Sequence, residues 1–85
     1  MNVQEIISYA EEHDLSLLLM DGFDDCIIGI TNDEIARVVY SEEKILLSLT
    51  AMLGSFDDAI DLYGHSIASA YVGERTPLII RTEFD

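Results

Sequence analysis

The apolar residues of this chain change their spacing along its length, and that change limits which elements can form. Val3, Ile6, Ile7 and Ala10 recur at i, i+3, i+4 and i+7, the spacing of one helix face, while Gln4, Glu5, Ser8, Glu11 and Glu12 take the other. The same period returns in Ile45, Leu46, Leu49, Met52 and Leu53, and again in Phe56, Ala59, Ile60, Tyr63, Ile67 and Ala70. Between the first helical stretch and the second lie only short runs, at Leu15 to Met20, Cys26 to Thr31 and Ile35 to Tyr40. Runs that short suit strands, the second and third being rich in β-branched residues. In 85 residues, 49% of them hydrophobic, this alternation predicts one α+β domain spanning positions 1–85.

The punctuation agrees with the periods. Asn2 caps the first helix, with Glu5 three positions on as its capping-box partner, and the helix is predicted to end near His13 and Asp14. Gly29 inside the second run predicts a bulge or a close backbone approach. Asn32, Asp33 and Glu34 turn the chain, and the three runs read as an antiparallel meander. Ser41 caps the next helix, with Glu42 and Glu43 in its first turn, and Gly54 stops it. Ser55 caps the third, with Asp58 at its third position, and Gly64, Ala68 and Ser69 allow a close neighbour. Tyr71 to Pro77 is a loop and Leu78 to Thr82 a last strand, with Arg81 suiting an edge. The expected order is α-β-β-β-α-α-β, a two-layer domain whose small antiparallel or mixed sheet carries helices on one face.

Charge says more about partners than about fold. Glu5, Glu11, Glu12, Asp14, Asp21, Asp24, Asp25, Asp33 and Glu34 all precede the first base, Arg37; Lys44, Arg75 and Arg81 complete the bases, and the net charge is −13. Such a field repels nucleic acid and anionic membrane and attracts basic protein surfaces and hard cations. Acidity also keeps small proteins dispersed, which is its ordinary use. The sharper reading is imitation of a nucleic-acid backbone: thirteen charges match roughly 22 Å of duplex at ~1.7 Å per charge. A lone cysteine, Cys26, permits no intrachain disulfide, apolar runs reach only four residues, and no signal peptide opens the chain, so a cytoplasmic setting is expected.

The densest polar cluster is Asp21-Gly22-Phe23-Asp24-Asp25. Its spacing fails the calcium loop of an EF-hand. It reads first as a hairpin turn whose acids cap backbone amides while Phe23 anchors it to the core. The metal-binding alternative draws on Asp24, Asp25 and Glu74, three hard oxygen donors, and as paired carboxylates they would suit acid–base work. His13, His65 and Cys26 lack zinc-ligand spacing, Cys26 reading as a small buried hydrophobe. No nucleophile elbow, phosphate loop or dinucleotide fingerprint occurs, so no catalytic residue and no cofactor is predicted. Four bases are too few for a nucleic-acid groove.

Two separated stretches, Asp21-Gly22-Phe23-Asp24-Asp25-Cys26-Ile27-Ile28-Gly29 and Ala70-Tyr71-Val72-Gly73-Glu74-Arg75-Thr76-Pro77-Leu78-Ile79, resemble a family of small proteins of no established activity found in bacteriophages and bacterial genomes. The resemblance runs nearly the full length and implies a helix, the first motif, two helices, then the second motif entering a final strand. This chain departs from it at Ser66 and Ser69, where the family pattern carries Asn and Gly, which puts any role of that Asn in doubt here. It implies a phage-related origin and singles out Gly22, Phe23, Tyr71, Gly73, Thr76 and Pro77, with the acids beside them, as a shared feature or as a lock between first hairpin and last strand. Together these readings predict a partner-binding module that presents Asp21, Asp24, Asp25, Asp33, Glu34 and Glu74 to a basic host protein surface. It would bind neither nucleic acid nor membrane directly. A homodimer is the further expectation, since small domains gain core by association.

Overall fold

A computed structural model describes residues 2–68 and 70–82. The first helix, α1 (Val3–Glu12), starts on Asn2, whose side chain accepts the Glu5 N–H at 2.9 Å. It ends at His13, with the next residue, Asp14, in the left-handed region at φ 54°. There Leu15 N–H bonds the Ala10 carbonyl at 2.8 Å and Asp14 N–H that of Glu11 at 3.4 Å. That is a Schellman closure with aspartate where glycine is usual.

The sheet has three strands, β1 (Ile27–Ile30), β2 (Val38–Ser41) and β3 (Leu78–Ile80), in the spatial order β1-β2-β3. β1 and β2 are antiparallel; β2 and β3 are parallel, so the sheet is mixed. The register of the hairpin slips between Ile27, opposite Tyr40, and Gly29, opposite Val39, leaving Ile28 as the extra residue of a bulge. This is the irregularity that Gly29 announced. Ser41 ends β2 and caps α2 (Glu42–Leu53), accepting the Lys44 N–H at 3.2 Å. Gly54, at φ 77°, closes α2, and Ser55 caps α3 (Phe56–Leu62) through the Asp58 N–H. α3 widens into a π-helical stretch, Tyr63–Ile67, closed by the Ala68 N–H on the Tyr63 carbonyl at 2.8 Å.

The fold is thus a small α+β domain in the expected order, with one element replaced. Leu15 to Met20 forms no strand. It has leucines but no β-branched residue, and side chains rather than a neighbouring strand take its backbone groups: Met20 N–H donates to Tyr40 Oη at 2.6 Å, and Ser16 carbonyl accepts from Arg75 Nη1 at 2.9 Å. The core joins Ile6 of α1, Cys26, Ile27, Val38, Tyr40, Ile45, Leu49 and Ala59. Val38 and Tyr40 lie two apart on one face of β2, and both are fully buried. α1 packs on β1 and α2 on β2, so helices cover the sheet only in part.

The expected helix faces run past that core. Met52 and Leu53 of α2, Phe56 and Ile60 of α3, and Ile7 of α1 are exposed, as is Ala70. Length explains the α2 end: twelve residues of helix reach about 18 Å, whereas a four-residue strand supplies about 13 Å of sheet. Arg81 lies just beyond β3 rather than in it, and Ser69 falls outside the described residues.

Candidate functional site

The acidic motif folds as a turn, but with no strand before it and with its acids capping no backbone amide among the described residues, so it is not the expected hairpin turn. Phe23 N–H returns to the Met20 carbonyl at 3.3 Å across Gly22, whose φ of 87° suits glycine. A 3-10 turn, Asp24–Cys26, follows, with Cys26 N–H on the Phe23 carbonyl at 2.9 Å. Phe23 packs against the core, and Asp21, Asp24 and Asp25 project outward, exposed and without side-chain hydrogen bonds or ion pairs among the described residues. Burial first, and then the Asp25 charge, pushes the Cys26 thiol above its ordinary value, against an opposing pull from Lys44. The residue is a buried hydrophobe with a free thiol.

Topology separates the other acids from this turn. Asp24 and Asp25 lead into β1, whereas Asp33 and Glu34 lie in the loop joining β1 to β2. Glu74 precedes β3, which starts opposite Val39 and runs parallel to β2. The loop acids and Glu74 therefore lie on the side from which β2 and β3 enter the sheet, and the Asp21–Asp25 turn on the side from which β1 enters. Among the described residues, no three His, Cys, Asp or Glu side chains group closely enough to hold a metal ion. Asp24, Asp25 and Glu74 consequently do not form the ligand set considered for them.

The second motif is built around Thr76. Its hydroxyl accepts the Val72 N–H at 2.9 Å and donates to the Gly73 carbonyl at 2.6 Å, while its own N–H bonds the same carbonyl at 3.2 Å. Gly73, at φ 104°, permits the turn. Arg75 ties it to Ser16, and Pro77 leads into β3. The two motifs do not share a strand pair, because β2 stands between β1 and β3.

Two constellations appear that spacing did not disclose. In the first, Glu42 joins three elements: Tyr63 Oη donates to its Oε2 at 2.9 Å, and Arg81 Nε lies 3.5 Å from its Oε1. Burial, then the hydrogen bond to Glu42 and its charge, pushes the Tyr63 phenol up to about 12, with Arg81 pulling the other way. Next to it Ser41 Oγ and Thr82 Oγ1 are 3.1 Å apart, so the chain beyond β3 is fastened to the head of α2.

The second is an apolar cleft of about 690 Å³ between the Leu18–Met20 segment, the π-helical stretch and the loop into β3. Leu18, Leu19, Ile67, Val72 and Leu78 supply much of its wall, and Tyr71, Thr76 and Pro77 of the second motif belong to it as well. Arg37 is its one cationic lining residue, and the Arg37 Nε is buried with no hydrogen-bond partner among the described residues. Sequence reasoning counted Arg37 only as a base. The available signal was its setting, a lone cation within Ile35-Ala36-Arg37-Val38-Val39. Of the two histidines, His13 stacks its ring 4.2 Å from that of Tyr9, and His65 is exposed.

Comparison with family models, with curated proteins and with solved structures returns no match. Among the described residues, no helix is long and apolar enough to cross a membrane.

Proposed function

We propose that this chain is a small acidic interaction module, cytoplasmic and phage-derived, that binds the basic surface of a host protein which handles nucleic acid. One observation carries the reading: thirteen of the fifteen described acids are exposed, Glu42 and Glu43 being half-buried. Of the four bases, Arg37 and Arg75 are half-buried, whereas Lys44 and Arg81 are exposed. Arg75 is held by the Ser16 carbonyl, Arg81 by Glu42, and Arg37 lies in the cleft. Thirteen exposed acids thus stand against two exposed bases, a strongly negative outward field that favours fast encounter with a basic partner.

The arrangement favours separate acidic contacts over a continuous rail of charge. Without Glu83 and Asp85, which lie outside the described residues, the net charge is −11, and the long axis measures 40 Å. That is one charge per about 3.6 Å, half the linear density of a duplex at ~1.7 Å. The Asp21–Asp25 turn and the Asp33, Glu34 and Glu74 group are two such contacts. The test is to recover a basic partner from host lysate and measure its affinity at low and high salt, for the native chain and for Asp21→Asn/Asp24→Asn/Asp25→Asn. Affinity should fall steeply with salt, and the triple variant should associate more slowly. An affinity that salt leaves unchanged removes the electrostatic reading.

A further inference from the structure

The cleft that holds Arg37 differs in kind from the acidic surface. Its volume, about 690 Å³, lies within the range of small-molecule sites, and its wall is mostly apolar. A guanidinium with a buried N–H that meets no acceptor is costly in such surroundings. Two polar groups of the wall are engaged elsewhere: Thr76 Oγ1 serves Val72 and Gly73, and the Tyr63 hydroxyl serves Glu42. Among the described residues, none of the thirteen exposed acids forms an ion pair with Arg37. The π-helical stretch places Ser66 and Ile67 along the same wall, and an inserted π turn is a common way of shaping a binding site.

We propose that this cleft binds a small amphipathic monocarboxylate, with its carboxylate on the Arg37 guanidinium and its apolar body against Leu18, Leu19, Ile67, Val72 and Leu78. Guanidinium and carboxylate match in planar geometry and charge, and a carboxylate in the cleft brings a counter-charge to a guanidinium whose buried Nε meets no acceptor among the described residues. The net field of the molecule sets the ligand's valence. With −13 overall, one cation compensates one negative charge, and a dianion or a phosphate meets uncompensated repulsion. The site is independent of the acidic contact surface and stands whether or not that surface binds a protein.

Octanoate is the probe, titrated into the full chain by calorimetry and by amide chemical-shift mapping. Its controls are octanol, succinate and inorganic phosphate, together with a peptide ending in an apolar residue. Octanoate should bind and shift amides of Leu18 to Met20 and Ile67 to Leu78, and octanol should bind at least tenfold more weakly. Arg37→Gln should reduce octanoate affinity about tenfold or more while leaving octanol affinity unchanged, and Arg37→Lys should fall between. Thermal melts of both variants report whether they fold, and Leu78→Ala, which opens the wall without touching the cation, should weaken octanoate and octanol alike. Asp21→Asn/Asp24→Asn/Asp25→Asn should keep octanoate binding, which separates this site from the acidic surface. Equal affinity for octanoate and octanol overturns the proposal, as does octanoate affinity unchanged in a folded Arg37→Gln. Preference for succinate or phosphate overturns it also, and binding of the peptide without octanoate assigns the cleft to a protein terminus instead.

Discussion

Tyr40 fills the centre of the core with no exposed surface, and its hydroxyl still has a task, since it accepts the Met20 N–H at 2.6 Å. Burial, the largest influence, raises its phenol above the ordinary value against the pull of that hydrogen bond. Tyr40→Phe keeps the ring and orphans the Met20 donor. We expect a loss of about 1–3 kcal/mol in denaturant unfolding, with faster hydrogen exchange at the Met20 amide. Tyr63 gives a second prediction, with its sign fixed by direction. Its folded value, about 12, exceeds the ordinary 10.0, so the neutral phenol is favoured by folding. That contribution is complete below pH 10 and is lost as pH rises from 10 towards 12. Absorbance titration should find this phenol ionising late. Glu42→Gln should bring its midpoint down, because the Glu42 charge is removed, while burial, the largest single cause, continues to raise it.

At the scale of elements, two helix ends use the same backbone conformation with opposite residue choices. Asp14 ends α1 at φ 54° and Gly54 ends α2 at φ 77°. A side chain is disfavoured in that region, and at the C-terminus of α1 the carboxylate also faces the negative end of the helix. Asp14→Gly should therefore raise stability by about 0.5–1 kcal/mol, and Gly54→Ala should lower it by about 1 kcal/mol, both read from thermal melts. A Cβ at Gly54 meets nothing within 4 Å, so the second cost is one of backbone conformation and not of crowding. Capping was legible throughout: Asn2, Ser41 and Ser55 each accept the N–H expected of them. Strand edges were less so. Ile35 to Tyr40 shortens to Val38–Ser41 and Leu78 to Thr82 to Leu78–Ile80, because a strand ends where its partner's backbone does, which no local signal records.

For the whole molecule, the balance of −13 matters more than any one carboxylate. Like charges repel in the compact state, and salt shortens their reach from ~30 Å at 0.01 M to ~8 Å at 0.15 M. The melting temperature should rise across that range, the reverse of what a fold held by ion pairs would show. The apolar surface beyond the core, Met52, Leu53, Phe56 and Ile60, bears on the expected homodimer, and sedimentation over a concentration range reads it directly. A sedimentation coefficient independent of concentration would show that these residues associate with nothing of their own kind.

By itself the sequence determined the α+β class, the helix caps, the Gly29 bulge and the turn at Asp21–Asp25, because each rests on a local preference written within a few residues. It determined the sign of the surface too. Tertiary structure alone decided that Leu15 to Met20 would give its backbone groups to Tyr40 and Arg75 rather than to a strand. It also decided that β3 would enter parallel to β2, away from β1, and so keep Glu74 apart from Asp24 and Asp25. The cleft around Arg37 has the same origin. It draws on residues from Leu18 to Ile79, and spacing along a chain carries no record of which distant segments will close around one cation.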